Sequence, residues 1–220
     1  MQNHYPHQLV VDLKAAGVWS KLDTFAVFAT DGSGDFALID WKRLTDYTAV
    51  NSPAFTTNQG FTGDGTSSYI DSNFNPVTSG VNYTLNDASI SVWNNTFVLN
   101  NFISGIGGNV FNCLRMSSSS ANVRINMNNN NLTPFVDLSD ASKKLRQLNR
   151  TSSNDVTAFQ DTTSSTHSGA SVDIANENQL ILRTSSFYSS TEVAFFGMGA
   201  SLVSENTDFY NALNTYKTAI

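Results

Sequence analysis

EVAFFGMGASL, residues 192–202, followed shortly by SENTDFYNALNTYKTAI, residues 204–220, decides how this chain is read. The first stretch reads as a long strand bearing two glycines. The second places Phe209, Leu213, Tyr216 and Ile220 at i, i+4, i+7 and i+11, the single apolar face of an amphipathic helix. Asn206 has the side chain of a helix cap, and Asp208 suits the positive end of the helix dipole. That apolar face should be buried against a sheet or against a helix at the other end of the chain.

Upstream, Pro6 opens a helix, Leu9, Val10, Leu13 and Ala16 form its stripe, and Gly17 stops it. Residues 18–23 (VWSKLD) add a short helical turn. Strand candidates follow in quick succession. Residues 24–30 (TFAVFAT) are continuous and apolar, and 36–41 (FALIDW) make their hairpin partner across 31–35 (DGSGD). Further runs lie at 47–50, 68–71, 88–93, 110–116, 122–127, 144–150, 155–160 and 178–183. Val123, Ile125 and Met127 alternate with Arg124 and Asn126, the pattern of a half-buried antiparallel strand. Ser117 to Ser120 and Asn128 to Asn131 read as hairpin tips. The expectation is an all-β antiparallel sandwich, with helix confined to 5–23 and 207–219. It forms one domain over 1–220: a helical segment at 1–23, a sandwich at 24–203 and a terminal helix at 204–220.

Only 14% of the 220 residues are charged, and Ser, Thr and Asn supply most of the polarity. Twelve Lys and Arg stand against 18 Asp and Glu, a net charge of −6, which argues against nucleic acid because phosphate binding needs a basic footprint. Lys143, Lys144 and Arg146 are the only cation cluster and read as a solvated strand end. One cysteine, Cys113, permits no intrachain disulfide, so a core built from the 40% apolar content must hold the chain together. There is no secretory signal pattern at the N-terminus and no apolar run near 18 residues, so no membrane insertion is expected.

The order of several segments resembles the concanavalin A-like (lectin/glucanase, laminin-G-like) jelly roll, in the version found in structural proteins of tailed bacteriophages. The segments are 13–30 (LKAAGVWSKLDTFAVFAT), 40–76 with its Gly-rich lead into a strand and its Asn75-Pro76 turn, 148–169 with Ser153-Asn154 at a hairpin tip, and 178–202. The resemblance implies a non-enzymatic virion structural protein made in the host cytoplasm and displayed on capsid or tail, with other virion proteins as partners; the alternatives are a carbohydrate-binding adhesin or receptor-binding protein with a host-surface glycan as ligand and, third, a glycan hydrolase. The segment before the first strand is then the available attachment region.

The same fold class includes glucanases, whose chemistry needs two closely placed carboxyl groups. The chain has three glutamates, Glu177, Glu192 and Glu205, and none has an acidic residue two or four positions away in the E-x-D-x-(x)-E pattern. No catalytic residue is therefore assigned and no enzyme is expected. Asp31 and Asp35 in DGSGD have a spacing reminiscent of a calcium loop but lack its downstream glutamate, and a plain turn is the better reading. Asp64, Asn73 and Asn75 offer less. His4, His7 and His167 form no metal set and read as exposed, and Cys113 reads as a small buried hydrophobe. No phosphate-binding glycine motif is present, so no cofactor is expected. A sugar site needs an aromatic platform. Trp19, Trp41 and Trp93 lie in or beside apolar segments and read as core, which leaves Tyr188, in SSFYSS, as the exposed aromatic that a ligand would contact.

Overall fold

The computed structural model describes residues 5–96, 98, 102–106, 111–116, 122–130, 135–137, 142, 144–185 and 187–220, with the backbone alone at 102, 111–116, 122–125 and 135–137. In chain order, α1 (Tyr5–Ala15) and α2 (Val18–Lys21) precede β1 (Leu22–Val27) and the single turn α3 (Gly34–Ala37). Four short strands follow, β2 (Thr48–Val50), β3 (Ala54–Thr56), β4 (Gly60–Thr62) and β5 (Tyr69–Asp71), then the turn α4 (Pro76–Ser79). The central strands are β6 (Ala88–Asn94), β7 (Phe102–Ile106), β8 (Phe111–Met116), β9 (Asn122–Asn129), β10 (Phe135–Asp137), β11 (Leu145–Arg150), β12 (Asp155–Gln160) and β13 (Thr163–Ser168). The closing part holds β14 (Leu180–Ile181), β15 (Arg183–Thr184), β16 (Phe187–Tyr188), β17 (Glu192–Gly199) and α5 (Asn206–Ala219).

Two antiparallel sheets stack. One runs β13-β12-β11-β6-β17-β4-β3, and the other β10-β9-β8-β7-β14-β5-β2. β17 is the keystone of the first. One of its edges pairs with β6, while the other is shared between β4, at Glu192 and Val193, and β1, from Phe195 to Gly199. A bulge at Ala194, whose carbonyl accepts from both Phe28 N and Ala29 N, turns Ala194 and Phe195 to one side of the sheet and Val193 and Phe196 to the other. The strand is therefore buried on both faces, and this is why it reads as a nearly unbroken apolar run. Gly199 is required at its end: a Cβ there would lie 2.0 Å from Lys21 O, where β1 begins.

Val193, Phe196, Ile90, Val92, Leu148 and Ile70 belong to the core between the sheets. On the opposite side of the first sheet, Phe25, Trp93, Leu145 and Phe195 are covered by Leu9 and Leu13 of α1 and by Phe209, Leu213 and Tyr216 of α5. The expected burial of the α5 face holds, with Phe209 at 1% exposure. Trp93 is core, and Trp19 and Trp41 pack edge-on against Phe25. Among the described residues no helix is long and apolar enough to cross a membrane.

Several expectations are corrected. Residues 36–41 are not the hairpin partner of the first strand. Ser33 Oγ accepts Phe36 N and caps α3, and contact with β1 shrinks to one Ala26–Asp40 bridge beside Trp41 N donating to Phe25 O. β1 pairs with β17 instead. Asp40, fully buried, gathers Thr24 Oγ1, the backbone N–H groups of Phe25, Lys42 and Arg43, and Arg43 Nε, which folds this region into a turn. Helix is not confined to the two ends, because α3 and α4 each add one turn, the latter capped by Asn75. Asn206 does not cap α5. Glu205 holds that position with no side-chain bond, and Asn206 is buried, its Nδ2 donating to Gln147 Oε1.

The cation cluster is not solvated either. Arg146 is fully buried in β11, Lys144 Nζ donates to Asn95 O, and Lys143 lies outside the described residues. Asn128 and Asn129 are buried residues of β9 rather than a tip, and Asn128 Oδ1 accepts from Tyr83 Oη. Asn131, residues 117–120, His4 and the side chain of Cys113 fall outside the described set. The 178–183 run is interrupted at Leu182, which divides β14 from β15.

Candidate ligand-binding site

At one end of the sandwich, three connections meet: residues 51–53 between β2 and β3, residues 63–68 between β4 and β5, and the β15–β16 ribbon that leads into β17. Asn51 Nδ2 donates to Ser67 O (3.0 Å), Gly65 N to Ser189 O (3.2 Å) and Gly63 N to Thr191 O (3.4 Å). Gly63 is obligatory, since a Cβ there would sit 2.0 Å from Ser189 O. Asp64 organises its own loop. Its Oδ1 accepts from the N–H groups of Thr66, Ser67 and Ser68, and its Oδ2 from Ser67 Oγ. The N–H donors of Ser67, Ser68 and Thr66 hold this exposed carboxyl well below the usual carboxylate range.

The ribbon is aimed by one unusual residue. Leu182 has a φ of 66°, a left-handed conformation rarely adopted by a leucine, yet its side chain is fully buried in the core between the sheets. It is held there by Leu182 N donating to Ile103 O and Ser189 N donating to Leu182 O, both 2.8 Å. The reversal takes Arg183 out of β14 and sets it opposite Tyr188 across the ribbon. The guanidinium carbon of Arg183 then lies 4.5 Å from the centre of the Tyr69 ring and 4.9 Å from that of Tyr188. The two rings are 6.2 Å apart at 54°, so the cation sits in a wedge of two π faces. Phe187, paired with Thr184, faces the other side of the ribbon and is 56% exposed.

The polar groups of this cluster are largely unspent within the protein. Arg183 Nη2 donates to Ser185 O (2.9 Å), and Nε is buried without a partner. Among the described residues neither Tyr69 Oη nor Tyr188 Oη makes a hydrogen bond, and no carboxylate forms an ion pair with Arg183. The arrangement offers hydroxyls, guanidinium N–H groups and the faces of two aromatic rings together, the mixture that orients a polar ligand with apolar faces.

Tyr188 therefore lies within this cluster, half-buried rather than fully exposed. Tyr69 and Arg183 were not singled out from the sequence. The signal available was the hairpin itself: a two-residue connection at 185–186 places residue 183 opposite 188. The other residues weighed for chemistry are dispersed. Glu192 accepts from Asn95 Nδ2 and Thr62 Oγ1, Glu205 pairs with Lys21 Nζ at 2.7 Å, and Glu177 is exposed. His7 is exposed, and half-buried His167 bonds Ser165 Oγ through Nε2. Among the described residues no three His, Cys, Asp or Glu side chains gather to hold a metal. A depression of about 380 Å³ lies elsewhere, between α1 and α5, lined by Asp12, Ala15, Ala16, Asp208, Ala212 and Thr215. Asp12 in its lining accepts from Gln8 Nε2 outside it, and no aromatic side chain lines it.

No family model matches the chain, and no curated protein sequence does. Solved structures do match. The receptor-binding domain of the botulinum neurotoxin C/D mosaic serotype superposes with a TM-score of 0.64 at 10% identity, over 88% of this chain and 51% of that one. The botulinum neurotoxin serotype D ligand-binding domain in complex with N-acetylneuraminic acid gives 0.63 at 12%, over 90% and 52%. Trypanosoma rangeli sialidase in complex with sialic acid gives 0.58 at 12%, over 88% and 33%. The chain thus spans about half the length of the neurotoxin domains and a third of the sialidase. At such identities the likeness establishes the fold, an antiparallel β-sandwich.

Proposed function

We propose that this chain is a non-enzymatic glycan-binding module, with its ligand seated at the loop end on Tyr69, Arg183 and Tyr188. The observation that carries the reading is the pair of tyrosine hydroxyls, unspent among the described residues, around a ring-held guanidinium. Sugars present alternating C–H faces and hydroxyl edges, and such a cluster answers both. The reading is also supported by the company of the fold, since two of the superposable proteins were solved with sialic acid bound. No pair of carboxylates is assigned to hydrolysis, so binding without turnover is the function proposed.

A glycan array probed with the intact protein tests this. Tyr69→Phe and Tyr188→Phe, which keep the rings and remove the hydroxyls, should each weaken binding by about tenfold, the worth of a hydrogen bond whose ligand partner is left unpaired. Phe187→Ala, on the other face of the ribbon, should leave binding unchanged. Absence of binding to any glycan, or binding indifferent to both tyrosine substitutions, would reject the site.

The segment order shared with tailed-phage structural proteins favours a setting for this activity. We place the module on a virion, at capsid or tail, after synthesis in the host cytoplasm, with neighbouring virion proteins as its partners. Cosedimentation of the protein with purified particles is the expected result. Recovery solely as a free species would remove the virion setting while leaving glycan binding to be judged on the array.

A further inference from the structure

Arg183 points to the class of sugar. We infer, resting on the glycan-binding reading above, that the ligand carries a carboxylate, which Arg183 receives through its paired terminal N–H groups.

A guanidinium has five N–H donors in a rigid plane. In Arg183 one Nη2 proton is used on Ser185 O, and the Nε proton is buried, which leaves both Nη1 protons and the second Nη2 proton for an external acceptor. These lie at the end of the fork, where two parallel N–H groups match the two oxygens of a carboxylate. The two tyrosine rings fix the plane in advance, so little freedom is lost on binding.

The protein's own acids near this point are committed elsewhere. Asp71, two residues from Tyr69 and so on the same face of β5, accepts from Asn73 N (2.8 Å) and Asn178 Nδ2 (3.3 Å). Asp64 is occupied by the N–H groups of its own loop, and Glu192 by Asn95 and Thr62. Half-burying a cation without a counter-charge costs free energy that an incoming anion recovers. The contrast with Arg43 is direct, because that guanidinium is also packed against aromatic rings, of Tyr47 and Phe74, but is neutralised by Asp40.

The test measures binding of the whole protein to free N-acetylneuraminic acid and glucuronic acid, to their methyl esters, and to a sulfated neutral sugar. The acids should bind at least about tenfold more tightly than their esters, as a charge-assisted pair requires. Arg183→Lys, which keeps the charge and loses the fork, should erase most of that ratio, and Arg183→Met all of it. Equal binding of acid and ester overturns the inference, and the ester comparison needs no variant to fold. Preference for the sulfated sugar over both acids overturns it too, reassigning Arg183 to a tetrahedral anion. Neutral glycans that bind in a Tyr69- and Tyr188-dependent way, with acids no better, would sink this inference and leave glycan binding standing. Failure of every sugar would sink both.

Discussion

Tyr216 and Tyr188 show how differently two regions of this molecule treat the same side chain. Under α5, Tyr216 packs edge-on against Phe195 at 4% exposure, and its hydroxyl donates to Ala29 O at 2.9 Å. At the loop end, the hydroxyl of Tyr188 has no hydrogen-bond partner among the described residues, and its ring lies against a guanidinium with no ion-pair partner among them. The arginines repeat the contrast. Arg150, buried, spends Nε and Nη2 on Met127 O and Nη1 on Gly169 O, whereas Arg183 spends one proton on Ser185. A buried polar group left unpaired is destabilising, so a protein closes such groups off unless something external is to meet them. Under α5 the tyrosine hydroxyl is spent inside the protein, although Asn206 Oδ1 is buried there without a partner among the described residues. At the loop end two hydroxyls and most of a guanidinium are left over.

Substitutions should divide along this line. The largest effect belongs to the helix-covered face: Phe209→Ala should cost about 3–5 kcal/mol in a denaturant titration, as for a buried aromatic. Deleting the residues before Gly17 should likewise unfold the chain, because it strips Leu9 and Leu13 from the same core. That outcome removes α1 as a free attachment segment, the role its position first suggested. A folded truncation would restore it.

Next comes Gly63→Ala, where the added Cβ collides with Ser189 O. It should cost about 1–3 kcal/mol, the usual range for overpacking, and should weaken glycan binding because Tyr188 moves with Ser189. Loss of stability without loss of binding would separate that glycine from the site.

pH sharpens the comparison. Burial, reinforced by the charge of Asp31, pushes Tyr216 up to about 12. Its folded value is raised, so its contribution is complete below the ordinary tyrosine value near 10 and is lost as pH climbs from there through about 12. Alkaline unfolding should set in within that window, and Tyr216→Phe should shift it upward. Asp64 has the opposite sign. Its folded value is lowered, so its contribution holds above the usual carboxylate value near 4 and fades as pH falls below it. Asp64→Ala should flatten that acid limb; an unaltered limb would show the loop to be organised by something else. The smallest effect is expected from Asn214→Ala, within about 0.5 kcal/mol, because its side chain contributes nothing to the buried face of α5.

Much of the architecture was legible beforehand, for reasons tied to particular residues. β17 and α5 announce themselves because one is apolar throughout and the other apolar at helical spacing. β13 (TSSTHS) does not, since most of this edge strand is solvent-exposed and it carries no apolar alternation to detect. β3 and β4, three residues each, are too short to establish a period. Of the candidate site, Tyr188 was legible as an aromatic flanked by serines. Tyr69 lay inside the 68–71 run and Arg183 at the end of the 178–183 run, and nothing in either run set them apart.

Sequence alone determined the local properties: an all-β sandwich class, two amphipathic terminal helices, a chain with one cysteine that must rely on its core, and a net charge of −6. These follow from periodicity and composition, which act over a few residues. Which strand β1 joins, and where Arg183 points, were decided only in three dimensions. The first depended on β17 offering its edge from Phe195 to Gly199 while Ser33 and Asp40 drew residues 33–43 into turns. The second depended on Leu182 adopting a left-handed backbone so that its own side chain stays in the core. That choice is held by backbone hydrogen bonds with Ile103 and Ser189, residues distant in sequence or across a turn, and no local pattern encodes it.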